Sequence, residues 1–222
     1  MRIAPFITVE GPDGAGKSSH LPIIVEELER AGWEVVRTRE PGGTVMCEKI
    51  RNLILFPDQY EPLTKTTEVM MAFASRSQHY SLVIEPSLEQ GKAVMCDRFT
   101  DSTYAYQGRG QGVDIEVLKQ LEEISIGSAK PDLTILFDVP VEVSRKRMGI
   151  RGNDADTFES KEDDFLQRVR DGYFERVAED PDRFRVIDST MSLKEVSDAV
   201  RKTVREFIES YEPPRKKKSF RP

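Results

Sequence analysis

Cysteine and histidine are scarce in this chain of 222 residues, which carries two of each. Cys47 and Cys96 stand alone, with no Cys-x-x-Cys pair and no secretory context, so a disulfide framework is excluded. Both are expected as reduced, buried thiols in a cytoplasmic protein. His20 and His79 are too few and too far apart for a histidine-built zinc centre. No apolar run approaches the roughly 20 residues of a membrane helix, and the N-terminus lacks a signal-peptide pattern. There is no internal repeat. A net charge of −6 argues against a body that binds nucleic acid. One segment differs: from Glu212 to Pro222, Arg215, Lys216, Lys217, Lys218 and Arg221 face a single glutamate, among three prolines. It reads as a disordered, solvated tail behind a domain spanning 1–211. Any contact with nucleic acid would be confined to it, and no role is assigned.

What the chain does have is a phosphate-binding loop. Gly11, Pro12, Asp13, Gly14, Ala15, Gly16, Lys17 and Ser18 follow an apolar β-type run, Ile3 to Val9. They precede a helical pattern of Leu21, Ile24, Val25 and Leu28. Strand, glycine loop and helix in that order are the context the motif requires. Gly11, Gly14 and Gly16 allow backbone angles that turn successive N–H groups inward onto an anion, and the helix N-terminus adds partial positive charge. Lys17 would hold the β and γ phosphates and Ser18 would ligate Mg²⁺.

Apolar strand-like runs alternate with longer helical patterns along the rest of the chain. Strands are predicted at 3–9, 34–38, 93–96, 132–139 and 184–187. Helices are predicted over 17–31, 45–55, 66–89, 101–107, 114–126, 141–148 and 159–178, with a last one opening at the capping box Ser192-Leu193-Lys194-Glu195. This alternation predicts an α/β fold with a parallel sheet covered by helices. Ligands then bind beyond the carboxyl ends of the strands, where motifs following strands converge.

A phosphate loop alone does not separate a kinase from a GTPase or a mechanical ATPase. The chain lacks the Asn-Lys-x-Asp segment that reads guanine, and it shows no motor region. Arg39-Glu40-Pro41-Gly42-Gly43-Thr44, after the second strand, is either a tight turn or a close approach of backbone to ligand, with Arg39 meeting a phosphate. Phe73 and Arg76 share a helix face. They suit either core packing or a ring and guanidinium that receive a base. Asp97-Arg98-Phe99 ends the third strand, as an ion pair or as a carboxylate near Mg²⁺ beside a fork for the acceptor's phosphate.

Together these pieces resemble the thymidylate kinase family. The likeness is carried by Phe6 to Ser19, Arg39 to Thr44, Phe73-Ala74-Ser75-Arg76, Asp97-Arg98-Phe99 and Ser102 to Gly108. It continues through Arg151, Asp156, Glu159, Phe165, Val169, Tyr173 and Val186-Ile187-Asp188. The resemblance implies the three-layer fold of P-loop nucleoside monophosphate kinases, with a five-stranded parallel sheet. It implies transfer of a phosphoryl group from ATP to dTMP with Mg²⁺ as cofactor, and a cytoplasmic homodimer packed through helices.

By the same resemblance Gly11, Asp13, Gly14, Ala15, Gly16, Lys17, Ser18 and Ser19 bind ATP, and Asp13 also accepts the deoxyribose 3′-hydroxyl. Phe73 stacks on thymine with Arg76 at its polar edge. Arg98, aided by Arg39, holds the dTMP phosphate, while Thr103, Tyr106 and Gln107 line the base and sugar. Ser18 and Asp97 attend the metal. The loop has Gly14 where some family members carry a catalytic arginine, so the resemblance points to a mobile basic lid, 148–160. Arg151 is the leading catalytic candidate there and Arg147 the second. The lid has Asp156-Thr157 where the family often has Asp-Arg. Two other readings are kept: another nucleotide or nucleoside kinase, and a non-catalytic nucleotide sensor.

Overall fold

Phe6-Ile7-Thr8-Val9-Glu10 is buried at every position, as a strand covered on both faces must be. It is β1 (Phe6–Glu10), the middle of a parallel sheet in a computed structural model that describes residues 4–58, 60–151 and 162–213, with backbone only at 150 and 151. Four further strands complete the sheet among the described residues: β2 (Val35–Arg39), β3 (Ala93–Asp97), β4 (Leu133–Asp138) and β5 (Phe184–Asp188), in the order β2-β3-β1-β4-β5. Arg39 pairs with Asp97, and Asp97 with Val9. The carboxyl ends of β2, β3 and β1 are thus level, and the residues that follow them meet.

The helices are α1 (Lys17–Arg30), α2 (Val45–Leu55), α3 (Lys65–His79), α4 (Glu85–Glu89), α5 (Thr100–Thr103), α6 (Ile115–Ile126), α7 (Val141–Arg151), α8 (Asp163–Glu179) and α9 (Leu193–Ser210). A π-helical turn, Tyr80–Ile84, joins α3 to α4, which is the single long helix expected from 66 to 89. A second one, Tyr104–Gly110, follows α5. The capping box at α9 forms as expected: Ser192 accepts from the Glu195 N–H, and the Glu195 carboxylate accepts from the Ser192 N–H. α7 runs to Arg151, past the expected end at 148, while 152–161 and 214–222 lie outside the described residues. The expected lid and basic tail fall mostly there.

Two apolar layers sandwich the sheet. On one side Leu21, Ile24 and Leu28 of α1 and Val196, Val200 and Val204 of α9 pack on Ile7, Val9, Ile135 and Phe137. Tyr211, just past α9, meets the Phe207 ring tilted at 5.3 Å and the Trp33 ring edge-on at 6.3 Å. On the other side Phe6 meets Phe99, Ile84 and Leu88, while Leu136 meets Phe165, Val169 and Tyr173. Period-2 alternation puts Thr8 on this second face, where its hydroxyl bonds Thr134 at 2.8 Å and so is satisfied though buried. No helix among the described residues is long and apolar enough to cross a membrane.

Candidate active site

The loop between β1 and α1 has the backbone its glycines permit. Gly11, Gly14 and Gly16 all have positive φ. A Cβ on Gly11 would sit 2.3 Å from the Phe137 carbonyl oxygen, and one on Gly14 would sit 2.6 Å from that of Ser144. Both places therefore exclude any side chain. Lys17 is buried, its ammonium donating to the carbonyls of Gly11 at 2.8 Å and Pro12 at 2.9 Å. Burial and the nearby Arg98 charge bring its pKa down to about 8, against the pull of Asp13, Asp97 and Glu10. Ser18 and Ser19 are exposed at the mouth of the loop.

Arg98 adopts φ 69°, the left-handed region that non-glycine residues avoid. Such strain persists where the surroundings hold it, and here they do. Nη2 donates to Asp13 at 2.6 Å and Tyr106 at 3.3 Å; Nη1 donates to Gly11 O, Ser102 Oγ and Tyr173 OH. The guanidinium lies 5.1 Å from the Tyr106 ring centroid. Tyr106 donates its own hydroxyl to Asp13 at 2.8 Å. Desolvation would raise the Asp13 pKa, but Arg98, Lys17 and these hydrogen bonds outweigh it and hold the carboxyl well below the usual range. Asp13 and Arg98 therefore form an ionised pair spanning the phosphate loop and the end of β3.

That pair opens onto a cleft walled by Arg51, Ile54, Ala72, Arg76, Thr103 and Gln107 among others. Arg76 is buried and almost fully tied. Nε donates to Glu40 at 2.7 Å, and Nη2 donates to Thr103 Oγ1 and to the Phe99 carbonyl. Its Nη1 alone has no partner. Glu40 also bonds His79, whose other ring nitrogen meets Thr38. Gln107 is oriented by the hydrogen bond its Nε2 donates to Glu68 Oε1 at 2.7 Å.

Phe73 is not part of the cleft wall; its ring lies under the Arg76 guanidinium, 4.8 Å from centroid to Cζ, and packs with Val69, Tyr104 and Leu118. Arg39 stands outside the cleft too, half-exposed and paired with Glu48 at 2.8 Å. It lines a second cavity with Ser18 and Asp97. The buried Asp97 Oδ1 has no hydrogen-bond partner. Ser18 and Asp97 line the same cavity, and a hydroxyl and a carboxylate are hard oxygen donors of the kind Mg²⁺ takes. Among the described residues no cluster of three acidic, histidine or cysteine side chains offers a closed metal cage.

A third cavity lies on the other flank of the loop, lined by Gly14, Ala15, Gly16, Ser19, His20, Arg147, Ser189 and Met191 among others. Arg147 reaches it from α7, donating to the Ser189 carbonyl at 2.7 Å. His20 Nε2 and Ser189 Oγ are buried there without partners. Arg151 closes α7, and its side chain lies outside the described residues.

The site is thus three cavities around one glycine loop, with cations on each flank. A family model described as thymidylate kinase matches residues 9–200. The chain belongs to the thymidylate kinase family. It is 48% identical over 191 residues to the thymidylate kinase of Ectopseudomonas mendocina, covering 86% of this chain and 90% of that one. It is 44% identical over 204 residues to that of Pseudomonas fluorescens, covering 92% and 96%. The crystal structure of thymidylate kinase from Ehrlichia chaffeensis superposes with a TM-score of 0.72 at 36% identity, covering 90% of this chain and 98% of that one.

Sequence reasoning about this thymidylate kinase family member missed Glu10, Glu40, Arg51 and Ser189. Glu40 was in view only as part of the glycine turn, and its partner Arg76 lies 36 residues away. Glu10 and Arg51 sit on a strand and a helix face where pattern alone reads structure. Ser189 follows β5, a position the rule of carboxyl strand ends could have singled out.

Proposed function

We propose that the protein phosphorylates dTMP, with ATP as donor and Mg²⁺ as cofactor, giving dTDP and ADP. The observation that carries this reading is the cleft next to the phosphate loop that Arg98 and Arg76 both line, with Arg76 Nη1 buried and without a partner. A phosphate-bearing pyrimidine supplies what both need: anionic oxygens for Arg98 and a carbonyl acceptor for Arg76. A nucleoside without phosphate would leave Arg98 no charge partner from the ligand.

In this scheme a dTMP phosphate oxygen attacks the γ-phosphorus of ATP, and the bond to the β–γ bridging oxygen breaks in line with it. Arg98 holds the acceptor phosphate. Lys17 and the N–H groups of Gly14, Gly16, Ser18 and Ser19 hold the donor, while the Ala15 N–H braces the loop by donating to the Pro12 carbonyl at 3.2 Å. Asp13 receives the 3′-hydroxyl on a carboxylate kept ionised by Arg98. The Tyr106 ring, fixed by Asp13, crowds the sugar's 2′ position and favours deoxyribose. Phe73 supports the base pocket from beneath Arg76, and Thr103 and Gln107 line it.

Ser18 and Asp97 would hold Mg²⁺, which would supply positive charge to offset the charge developing on the transferring group. Arg39, paired with Glu48, lines the cavity of Ser18 and Asp97, and would reach a phosphate only by leaving that partner. The cavity between Arg147 and Ser189 takes the donor base. Arg151, by the family resemblance, would serve as the lid cation for the transferring phosphoryl group.

The test is ADP release from ATP and Mg²⁺ with dTMP, dUMP, dCMP, dGMP and thymidine offered separately. Turnover is expected to be strongest with dTMP and negligible with thymidine. Preference for another monophosphate would discard the base-pocket roles, and absence of turnover with every acceptor would discard the kinase reading.

A further inference from the structure

β1 ends in a carboxylate that the phosphoryl-transfer scheme leaves without a part. Glu10 is fully buried. Alternation along the strand places its side chain on the Phe6 and Thr8 face, under α5 and α8. Oε1 accepts the Phe99 N–H at 2.7 Å. Oε2 accepts the Ser102 hydroxyl at 2.6 Å and the Tyr173 hydroxyl at 3.2 Å. The two hydroxyl oxygens are 2.9 Å apart, and both also face Arg98, whose Nη1 donates to Ser102 at 3.2 Å and to Tyr173 at 2.9 Å.

A hydroxyl has one hydrogen, and a carboxylate only accepts. The Ser102 hydrogen points at Glu10, and the Tyr173 hydrogen points at Glu10 or Ser102. In either arrangement no hydroxyl hydrogen faces Arg98, and both oxygens present lone pairs to it. Glu10 also pins the peptide directly after the left-handed residue, through Phe99. Arg98 is therefore held from Glu10 along two routes, one through backbone and one through the hydroxyl pair.

We propose that Glu10 is a positioning residue for the acceptor phosphate: it sets the polarity of the Ser102 and Tyr173 hydroxyls so that they hold the Arg98 guanidinium where dTMP docks. This rests on the reading of Arg98 as the acceptor-phosphate ligand. An amide at this position donates as well as accepts. It would donate to the Ser102 and Tyr173 oxygens, so that one of the two hydroxyl hydrogens loses its acceptor and turns toward Arg98. Protonation of Glu10 has the same consequence. Burial, then the Asp101 carboxylate on α5, push Glu10 up to about 7, opposed by Arg98, Ser102 and the Phe99 peptide. The Glu10 charge acts in turn on Lys17, Cys96 and Tyr173, raising the pKa of each.

The experiment measures steady-state constants for Glu10→Gln, for the Ser102→Ala/Tyr173→Phe pair, for the triple variant and for Arg98→Ala. Losing one hydrogen bond to a charged group predicts a KM for dTMP about tenfold higher in Glu10→Gln, with KM for ATP unchanged. Added to the hydroxyl pair, Glu10→Gln should cost nothing further. The parent's KM for dTMP should climb more steeply below pH 7 than that of Glu10→Gln, a comparison in which the substrate's own titration cancels. A folded Glu10→Gln enzyme with the parent's KM for dTMP, or with an equal rise for ATP, overturns the proposal. Should Glu10→Gln fail to fold, an unchanged KM for dTMP in the hydroxyl pair overturns it instead. If Arg98→Ala leaves KM for dTMP unchanged, the Arg98 reading falls and the proposal with it; if only Arg98→Ala raises it, the Arg98 reading stands and the proposal falls.

Discussion

Arg98 donates to Asp13 across 2.6 Å, tying the end of β3 to the phosphate loop 85 residues earlier. The residue proposed to anchor the acceptor is thereby joined to the phosphate loop by one ion pair. Such pre-orientation of reactants is a major source of rate. Asp13→Asn removes the charge but keeps the shape. It should lower kcat/KM for dTMP by about 10²-fold, through Arg98 and the lost 3′-hydroxyl acceptor together. Steady-state kinetics with a thermal melt as fold control check this, and near-parental kcat/KM would detach Asp13 from the acceptor side.

Lys17 predicts a basic limb in the pH profile. With its free-enzyme pKa drawn down to about 8, the ammonium is charged below that pH and lost above it. Since kcat/KM reports the free enzyme, kcat/KM for ATP should fall as pH rises through about 8. Lys17→Ala should be slower by orders of magnitude at pH 7 and show no such limb. A profile flat to pH 10 would remove Lys17's charge from donor binding.

Arg76 is held by Glu40, Phe99 O and Thr103 with one nitrogen spare. A lysine cannot reproduce that fork. Arg76→Lys should raise KM for dTMP and shrink the preference for dTMP over dCMP by about tenfold or more, because an arginine donor favours a carbonyl over an amino group. Unchanged discrimination would move base reading elsewhere in the cleft.

The lid offers a fourth test. Arg151→Ala should depress kcat by at least about tenfold while leaving dTMP binding, measured by equilibrium dialysis, near parental. Weakened binding with intact kcat would take Arg151 out of the transition state. Arg147→Ala, in contrast, should raise KM for ATP, since that guanidinium lines the donor-side cavity.

Local order and contiguous motifs were legible in the chain itself. Three glycines ahead of Lys17 demand a loop that only positive φ can make, and period-2 and 3.6 patterns mark strands and helices within a few residues. Strand-end logic pointed to Asp97 and Arg98, because ligands gather at carboxyl strand ends; Thr103, Tyr106 and Gln107 came from the family resemblance, and all three line the cleft with Arg98. Partner choice was not legible. Phe73 and Arg76 share a helix face at short range, yet only packing decides that the ring lies beneath the guanidinium and not in the cleft. Arg39 follows a strand as the motif requires, yet its pairing with Glu48 sends it to the metal side. Glu10 looks like the last residue of a buried strand. Its three donors come from positions 99, 102 and 173, which no spacing rule connects. Sequence determines what local sterics and periodicity can enforce. Which buried charge meets which partner is decided by the folded chain, because a carboxylate removed from water is bound to whatever donors the tertiary packing brings within about 3 Å.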